Sequence, residues 1–190
     1  MRLELIVAGF GGQGVLFAGN LVAQAAMLAD YHVTYLPVYG PEMRGGTCNC
    51  TVIISDSPIA SPLVLNPSFS IILNLPSFLK FIPRLKNKGK AIINSDLVKP
   101  EEIDNLAILQ QKYKLYFVPV NSLAESLGSP ILANICALGA FYQISKVFSR
   151  ENFKEAIKYM LGEGKAHLIE PNLKAFELGA KYIEEHYQNR

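Results

Sequence analysis

The spacing of apolar and polar positions changes several times along the chain, and each change marks an element. Residues 3–8 form an apolar run broken only by Glu4, followed at once by the glycine-rich 9–14 and then a long apolar and small-residue stretch over 15–29. This pattern predicts a strand, a tight glycine turn and a helix. Residues 33–36 read as a second short strand, and 37–46 as a loop holding two prolines and three glycines. Residues 48–55 are β-branched and strand-like, and Asp56, Ser57 and Pro58 end them with turn chemistry. The apolar run 69–75 and the strand-like 91–94 bracket a helix that begins near Pro76 and exits at Asn87, Lys88 and Gly89.

The second half reads mainly as helices. After a strand over 116–120, Ser122 and Glu125 stand three apart, the spacing of a capping box, so a short helix is expected to start there. Ser129 and Pro130 are placed to open a long helix reaching about Phe148, Ser129 as N-cap and Pro130 where its missing amide costs nothing. Ala133, Ala137, Gly139 and Ala140 give that helix small residues for close packing. Ser149 caps a further helix toward Leu161, and Gly162 and Gly164 break it. Pro171 starts a last helix in which Phe176, Gly179, Ile183 and Tyr187 recur at helical spacing.

Strands alternating with helices over the first two thirds indicate an α/β fold. The expected architecture is a three-layer sandwich with a mainly parallel sheet, a Rossmann-like N-terminal unit and a helical C-terminal third packed on it. A length of 190 residues, half of them hydrophobic, fits one domain spanning 1–190. Charged residues at only 18% suggest a surface with fewer charges than a free monomer usually carries, so a buried partner face is plausible. Eighteen basic against sixteen acidic residues give a formal charge of +2, too balanced for the basic stripe of a nucleic-acid binder. Apolar runs such as 69–75 are far shorter than the ~20 residues of a membrane helix. The N-terminus carries no secretory pattern, so a cytoplasmic location is expected. Cys48, Cys50 and Cys136 are odd in number and lack the Cys-x-x-Cys spacing of a metal site; they read as free thiols. No metal site and no catalytic residue is expected.

Ligands of such folds collect at the carboxyl ends of the strands, where both glycine loops are expected to lie. Gly9, Gly11, Gly12, Gln13 and Gly14 satisfy the G-x-G-x-x-G pattern between a strand and a helix, so backbone amides there suit a phosphate or cofactor. Tight strand-helix packing explains the same glycines without a ligand. A dinucleotide site also wants an acid at the end of the second strand; none stands there, and Asp30 precedes the strand. Gln13 suits hydrogen bonding to a partner or ligand, or simple exposure on a turn. In the second loop Arg44 offers a planar fork for a carboxylate or phosphate, with Glu42 to orient it, or the two form a surface ion pair.

Three segments together carry a resemblance: Gly-Phe-Gly-Gly-Gln-Gly-Val at 9–15, Tyr-Gly-Pro-Glu-Met-Arg-Gly-Gly-Thr at 39–47 and Ile-Ser-Asp-Ser-Pro-Ile at 54–59. They resemble the gamma subunit of the 2-oxoacid:ferredoxin oxidoreductases, and the likeness extends to Ala133 and Asn134, to 137–140, and to Lys165, Asn172 and Gly179. The resemblance implies a cytoplasmic heteromeric enzyme that converts a 2-oxoacid and coenzyme A to acyl-CoA and carbon dioxide, reducing ferredoxin. It implies alpha and beta subunits and a ferredoxin-like delta subunit as partners. Thiamine diphosphate, Mg2+ and iron-sulfur clusters then belong to the assembled complex, with none bound by this chain alone. Tyr39, Glu42, Arg44, Gly45, Gly46, Thr47 and Asn49 become candidates for a subunit interface or coenzyme A contact. The other readings are a free-standing nucleotide-binding protein, the small subunit of an indolepyruvate ferredoxin oxidoreductase, and a non-catalytic interaction module.

Overall fold

The computed structural model describes residues 1–39, Tyr39 by its backbone, and 47–187. Six strands form one sheet in the order β2-β3-β1-β4-β5-β6. These are β1 (Arg2–Phe10), β2 (His32–Tyr39), β3 (Thr47–Ser55), β4 (Phe69–Ile72), β5 (Lys90–Asn94) and β6 (Lys114–Val118). The last three run parallel to β1, while β3 is antiparallel to both β1 and β2. The N-terminal strand-turn-helix unit is therefore Rossmann-like, with β3 inserted between β1 and β2.

Helices cover both faces. Leu5 and Val7 point into one core with Phe69, Ile71, α1 (Val15–Met27), α5 (Ala133–Ser145), α6 (Arg150–Leu161) and α7 (Ile169–Tyr187). Their neighbours Ile6 and Ala8 point into a second core with Ile72, Ile93 and α2 (Leu75–Phe81). The period-2 alternation of β1 thus feeds two layers, which is why its sequence is apolar from Leu5 to Ala8. The helical C-terminal third packs on the first face, where the rings of Phe153 and Phe176 stack at 3.8 Å. The Tyr187 hydroxyl closes the far edge by accepting from the Phe117 amide and donating to the Phe117 carbonyl, each at 3.0 Å.

Several elements depart from the sequence pattern for identifiable reasons. The second strand extends past 36 through Pro37 because β2 pairs only with β3; an edge strand tolerates a residue without N–H. The helix near Pro76 ends at Phe81 and passes into a 3-10 turn at Ile82–Arg84, where Pro83 stops it. Its cap is Asn74, whose side-chain oxygen accepts from the Ser77 amide at 2.9 Å. The 122–125 capping box does not form: α4 (Val120–Ser126) starts two residues earlier and takes its cap from Asp96. Ser129 makes no cap bond, Pro130–Leu132 is a 3-10 turn, and α5 ends at Ser145 with Lys146 at φ 50°.

The remaining helix signals hold. Ser149 caps α6 with Asn152 reciprocating, and Gly162 at φ 66° ends it. Pro171 falls in the first turn of α7, two residues after its start. The short α3 (Leu106–Lys112), on the second face, has no counterpart in the sequence pattern.

Candidate functional site

The carboxyl ends of β1, β4, β5 and β6 share one edge. Phe10 pairs with Thr47 and Tyr39 with Cys48, so both glycine segments leave the sheet at that edge as well. Asp30, at φ 61° in the turn before β2, lies at the opposite edge.

Just beyond the strands, polar side chains form a continuous brace. The Gln13 side-chain oxygen accepts from the Phe10 amide at 2.7 Å and from Asn74 Nδ2 at 3.0 Å, while its Nε2 donates to the Leu73 carbonyl at 3.3 Å. Asn94 Nδ2 donates to that carbonyl at 3.2 Å and to Asn121 Oδ1 at 2.8 Å. Asp96 completes the chain, its carboxylate accepting from the amides of Asn121 and Ser122 at 2.8 and 3.0 Å and from the Ser122 hydroxyl at 2.6 Å. These two amides belong to the first turn of α4, so Asp96 caps a helix from a distant segment. The brace locks the ends of four parallel strands together and ties up their polar groups.

The four glycines of the turn divide by what surrounds them. A Cβ on Gly9 would lie 2.6 Å from Gln13 Oε1, and one on Gly14 would strike the Asn134 carboxamide, whose Nδ2 donates to the Gly14 carbonyl at 3.1 Å. Gly14 also sits at φ 70°, so both residues are required by the chain's own packing. Among the described residues nothing approaches a Cβ on Gly11 or Gly12, and Gly12 sits at φ 100°. Gly12 is explained by its backbone; among the described residues none crowds Gly11.

The predicted site residues are thus partly gathered and partly not. The turn of 9–14 and Thr47 meet at one edge, Thr47 exposed and Asn49 buried between Ala8 and Val38. Glu42, Arg44, Gly45 and Gly46, with the Tyr39 side chain, lie outside the described residues. Gln13 spends its side chain on the turn and on Asn74. The residues that sequence reasoning missed are Asn74, Asn94, Asp96 and Asn121, each at a helix or strand end. Only Asn74 carried a local signal, two residues before a proline that begins a helix.

Cys50 and Cys136 are buried and Cys48 is half-buried. Burial pushes the Cys50 and Cys136 thiols up to about 12, and burial also raises Cys48. All three are free, and among the described residues no three His, Cys, Asp or Glu side chains converge in a metal-binding group. No described helix is long and apolar enough to cross a membrane.

Fold and edge together define an α/β protein that offers bare backbone beside the ends of its central strands. Residues 4–182 match the family model described as pyruvate ferredoxin/flavodoxin oxidoreductase. The chain belongs to that family, as a gamma subunit of the 2-oxoacid:ferredoxin oxidoreductases. It is 34% identical over 186 residues to 2-oxoglutarate synthase subunit KorC of Methanocaldococcus jannaschii, covering 97% of this chain and 96% of that protein. It is also 34% identical to ketoisovalerate oxidoreductase subunit VorA of Methanothermobacter thermautotrophicus, covering 98% of this chain but only 38% of VorA. Among solved structures, the gamma subunit of a keto/oxoacid ferredoxin oxidoreductase from Geobacter sulfurreducens superposes with a TM-score of 0.80 at 31% identity, covering 95% of each chain. A gamma subunit implies further subunits of an oxidoreductase complex.

Proposed function

We propose that this chain is the non-catalytic gamma subunit of a cytoplasmic enzyme that cleaves a 2-oxoacid between its carboxyl and keto carbons. Carbon dioxide leaves, the acyl group joins the coenzyme A sulfur, and the two electrons released reduce ferredoxin, with the thiol proton passing to solvent. In this reading thiamine diphosphate, magnesium and iron-sulfur clusters reside in the alpha, beta and delta subunits, and the glycine-loop edge faces those partners and the path of coenzyme A. Among the described residues the donor groups do not fit the clusters or the metal: Cys50 and Cys136 are buried, no three His, Cys, Asp or Glu side chains converge, and Asp96 is committed to capping α4.

The observation that carries the proposal is the division of the 9–14 turn. Its polar side chain is spent internally, while among the described residues nothing crowds Gly11 and Gly12. Among its described residues this edge offers an assembly shape and backbone donors, while the Asp96 carboxylate is spent on capping α4. The position of Asp30 at the far edge speaks against a free-standing dinucleotide-binding protein. Equal identity to a 2-oxoglutarate and a ketoisovalerate enzyme supports placing the choice of oxoacid in other subunits.

The test is reconstitution. Purified chain with an oxoacid, coenzyme A, magnesium and thiamine diphosphate should leave a viologen dye oxidised. Co-expression with alpha and beta subunits should give a complex that reduces the dye, assayed across pyruvate, 2-oxoglutarate, branched-chain 2-oxoacids and indolepyruvate. Dye reduction by the chain alone, or tight nucleotide binding with no assembly, overturns the proposal.

A further inference from the structure

At the edge of the sheet opposite the glycine turn lies a cavity of about 500 Å³. Its walls are the first residues of β1, β4 and β5, the turn that leads into β5, and the end of α5. Five of the chain's eighteen basic residues line it, Arg2, Lys86, Lys88, Lys90 and Lys146, and no lining residue is acidic. The near-balance of charge over the whole chain thus conceals one concentrated positive concavity. Buried Phe69 and Val147 lie among its apolar walls, which displace water and strengthen the field of the cations. A volume of this order is that of a small-molecule site.

Most of that charge is unspent. Glu4 accepts from Arg2 Nε at 3.0 Å and from Lys86 Nζ at 2.8 Å, so two cations share one carboxylate. Lys88, Lys90 and Lys146 have no ion pair among the described residues. Lys146 Nζ donates to Gln143 Oε1 and stands 4.6 Å from the centre of the Tyr142 ring, and neither contact neutralises it. The backbone gives an independent sign. Among the described residues four that are not glycine have positive φ: Asp30, Lys88, Asn105 and Lys146. Asp and Asn tolerate this conformation through short side chains that bond locally, whereas glycine is the residue that adopts it at least cost. The two lysines have no such help, and both are on this wall, Lys88 at φ 61° and Lys146 at φ 50°. Lys146 directly follows α5, at the place where helices commonly carry glycine. Local conformation favours glycine at both positions, and the chain holds a cation at each.

We propose that this cavity is a binding site for a small anion carrying two or more phosphate or carboxylate groups, which Lys88, Lys90 and Lys146 hold together. Lysine suits such a ligand as a flexible point charge with three donors. The lack of an acidic lining residue speaks against a metal cation or an amine. Enclosure favours a small molecule over a polypeptide: Phe69 on the wall is 3% exposed and Lys90 is half-buried, so part of the charge is reached only from within the cavity. The site lies away from the edge assigned to partner subunits, and the inference does not rest on the gamma-subunit reading.

Isothermal titration calorimetry of the full chain with pyrophosphate and with citrate, at one fixed ionic strength, tests this. At least one of the two should bind saturably with a dissociation constant of about 1 mM or tighter, and the tighter of them separates phosphate from carboxylate chemistry. Lys88→Gly and Lys146→Gly give each backbone position the residue its conformation prefers, so both variants should fold as the wild type does while binding the anion about fivefold or more weakly. Lys90→Gln, which leaves those two positions untouched, should weaken binding likewise. Lys154→Gln is the control: it removes one charge from an exposed position of α6 outside the cavity and should bind as the wild type does. Raised salt should weaken binding in every case. Absence of saturable binding by both anions overturns the inference, and so does equal weakening by Lys154→Gln. Tighter binding of a hexaglutamate peptide than of either small anion also overturns it, marking a docking surface for acidic polypeptide. Subunit assembly plays no part in the measurement, so the gamma-subunit reading stands or falls separately.

Discussion

Gly139 of α5 and Gly179 of α7 stand in reciprocal contact: a Cβ on Gly139 would collide with the Phe176 carbonyl, and one on Gly179 with the Cys136 carbonyl. Each glycine therefore meets the backbone three residues before the other. The two helices close to within backbone contact, which no residue with a side chain permits. Gly139→Ala and Gly179→Ala should each destabilise the chain by roughly 1–3 kcal/mol or more, because backbone cannot rotate away as a side chain can. Urea unfolding of both single variants and the double measures this. One separation of the helices relieves both clashes, so the double variant should lose less than the sum of the singles.

Asn74 is the pivot of the edge brace, 2% exposed, capping α2 with its oxygen and donating to Gln13 with its nitrogen. Asn74→Ala should cost about 1–2 kcal/mol for the cap alone. Asn74→Asp keeps the cap acceptor and should recover part of that loss, while placing an acceptor against the Gln13 oxygen. Denaturant unfolding gives the stabilities. Amide exchange over 10–14 should quicken in both variants, since both lose the bond to Gln13.

Cys50 and Cys136 give a pH signature. Each thiol is held neutral by burial, with its titration pushed from the ordinary 9.0 up to about 12. The folded chain thus keeps protons that the unfolded chain releases above 9, so stability is full below that pH and falls as pH rises toward about 12. Unfolding measured at pH 8 and pH 10 should show lower stability at the higher pH. Cys50→Ala should flatten the difference, and both thiols should resist alkylation until denaturant is added.

Arg44 is proposed from sequence as an interface residue on the second glycine segment. Arg44→Lys keeps the charge but loses the two-pronged fork, so a loss with Lys as well as with Ala marks geometry as the requirement. Weaker subunit association with normal turnover in the residual complex is expected. A raised Michaelis constant for coenzyme A in an intact complex would make it a ligand contact instead. Wild-type assembly and kinetics in both variants would reduce Arg44 to a solvated charge.

Isolated chain should remain inactive in viologen reduction at any concentration of added thiamine diphosphate and magnesium, since the edge of the sheet offers no electron carrier. Activity should rise in proportion to the fraction assembled with alpha and beta subunits, measured by gel filtration of the same mixtures.

The sequence by itself determined the α/β class, the strand-turn-helix over 3–29, and the helices whose signals are local, as with Ser149 before α6 and Gly162 after it. Caps, turns and apolar periods act over a few residues, so they can be read in order along the chain. It also carried the glycine motifs that resemble the gamma-subunit family. What only the tertiary structure decided are relations between distant segments. The insertion of β3 between β1 and β2 makes β2 an edge strand and admits Pro37. Asp96 caps α4 from another segment and displaces the expected Ser122 box. Gly9 and Gly14 are separated from Gly11 and Gly12 only by knowing that Gln13 and Asn134 crowd the first pair. Pairing across a sheet and the approach of one helix to another depend on where the chain returns, and no local pattern of residues encodes that.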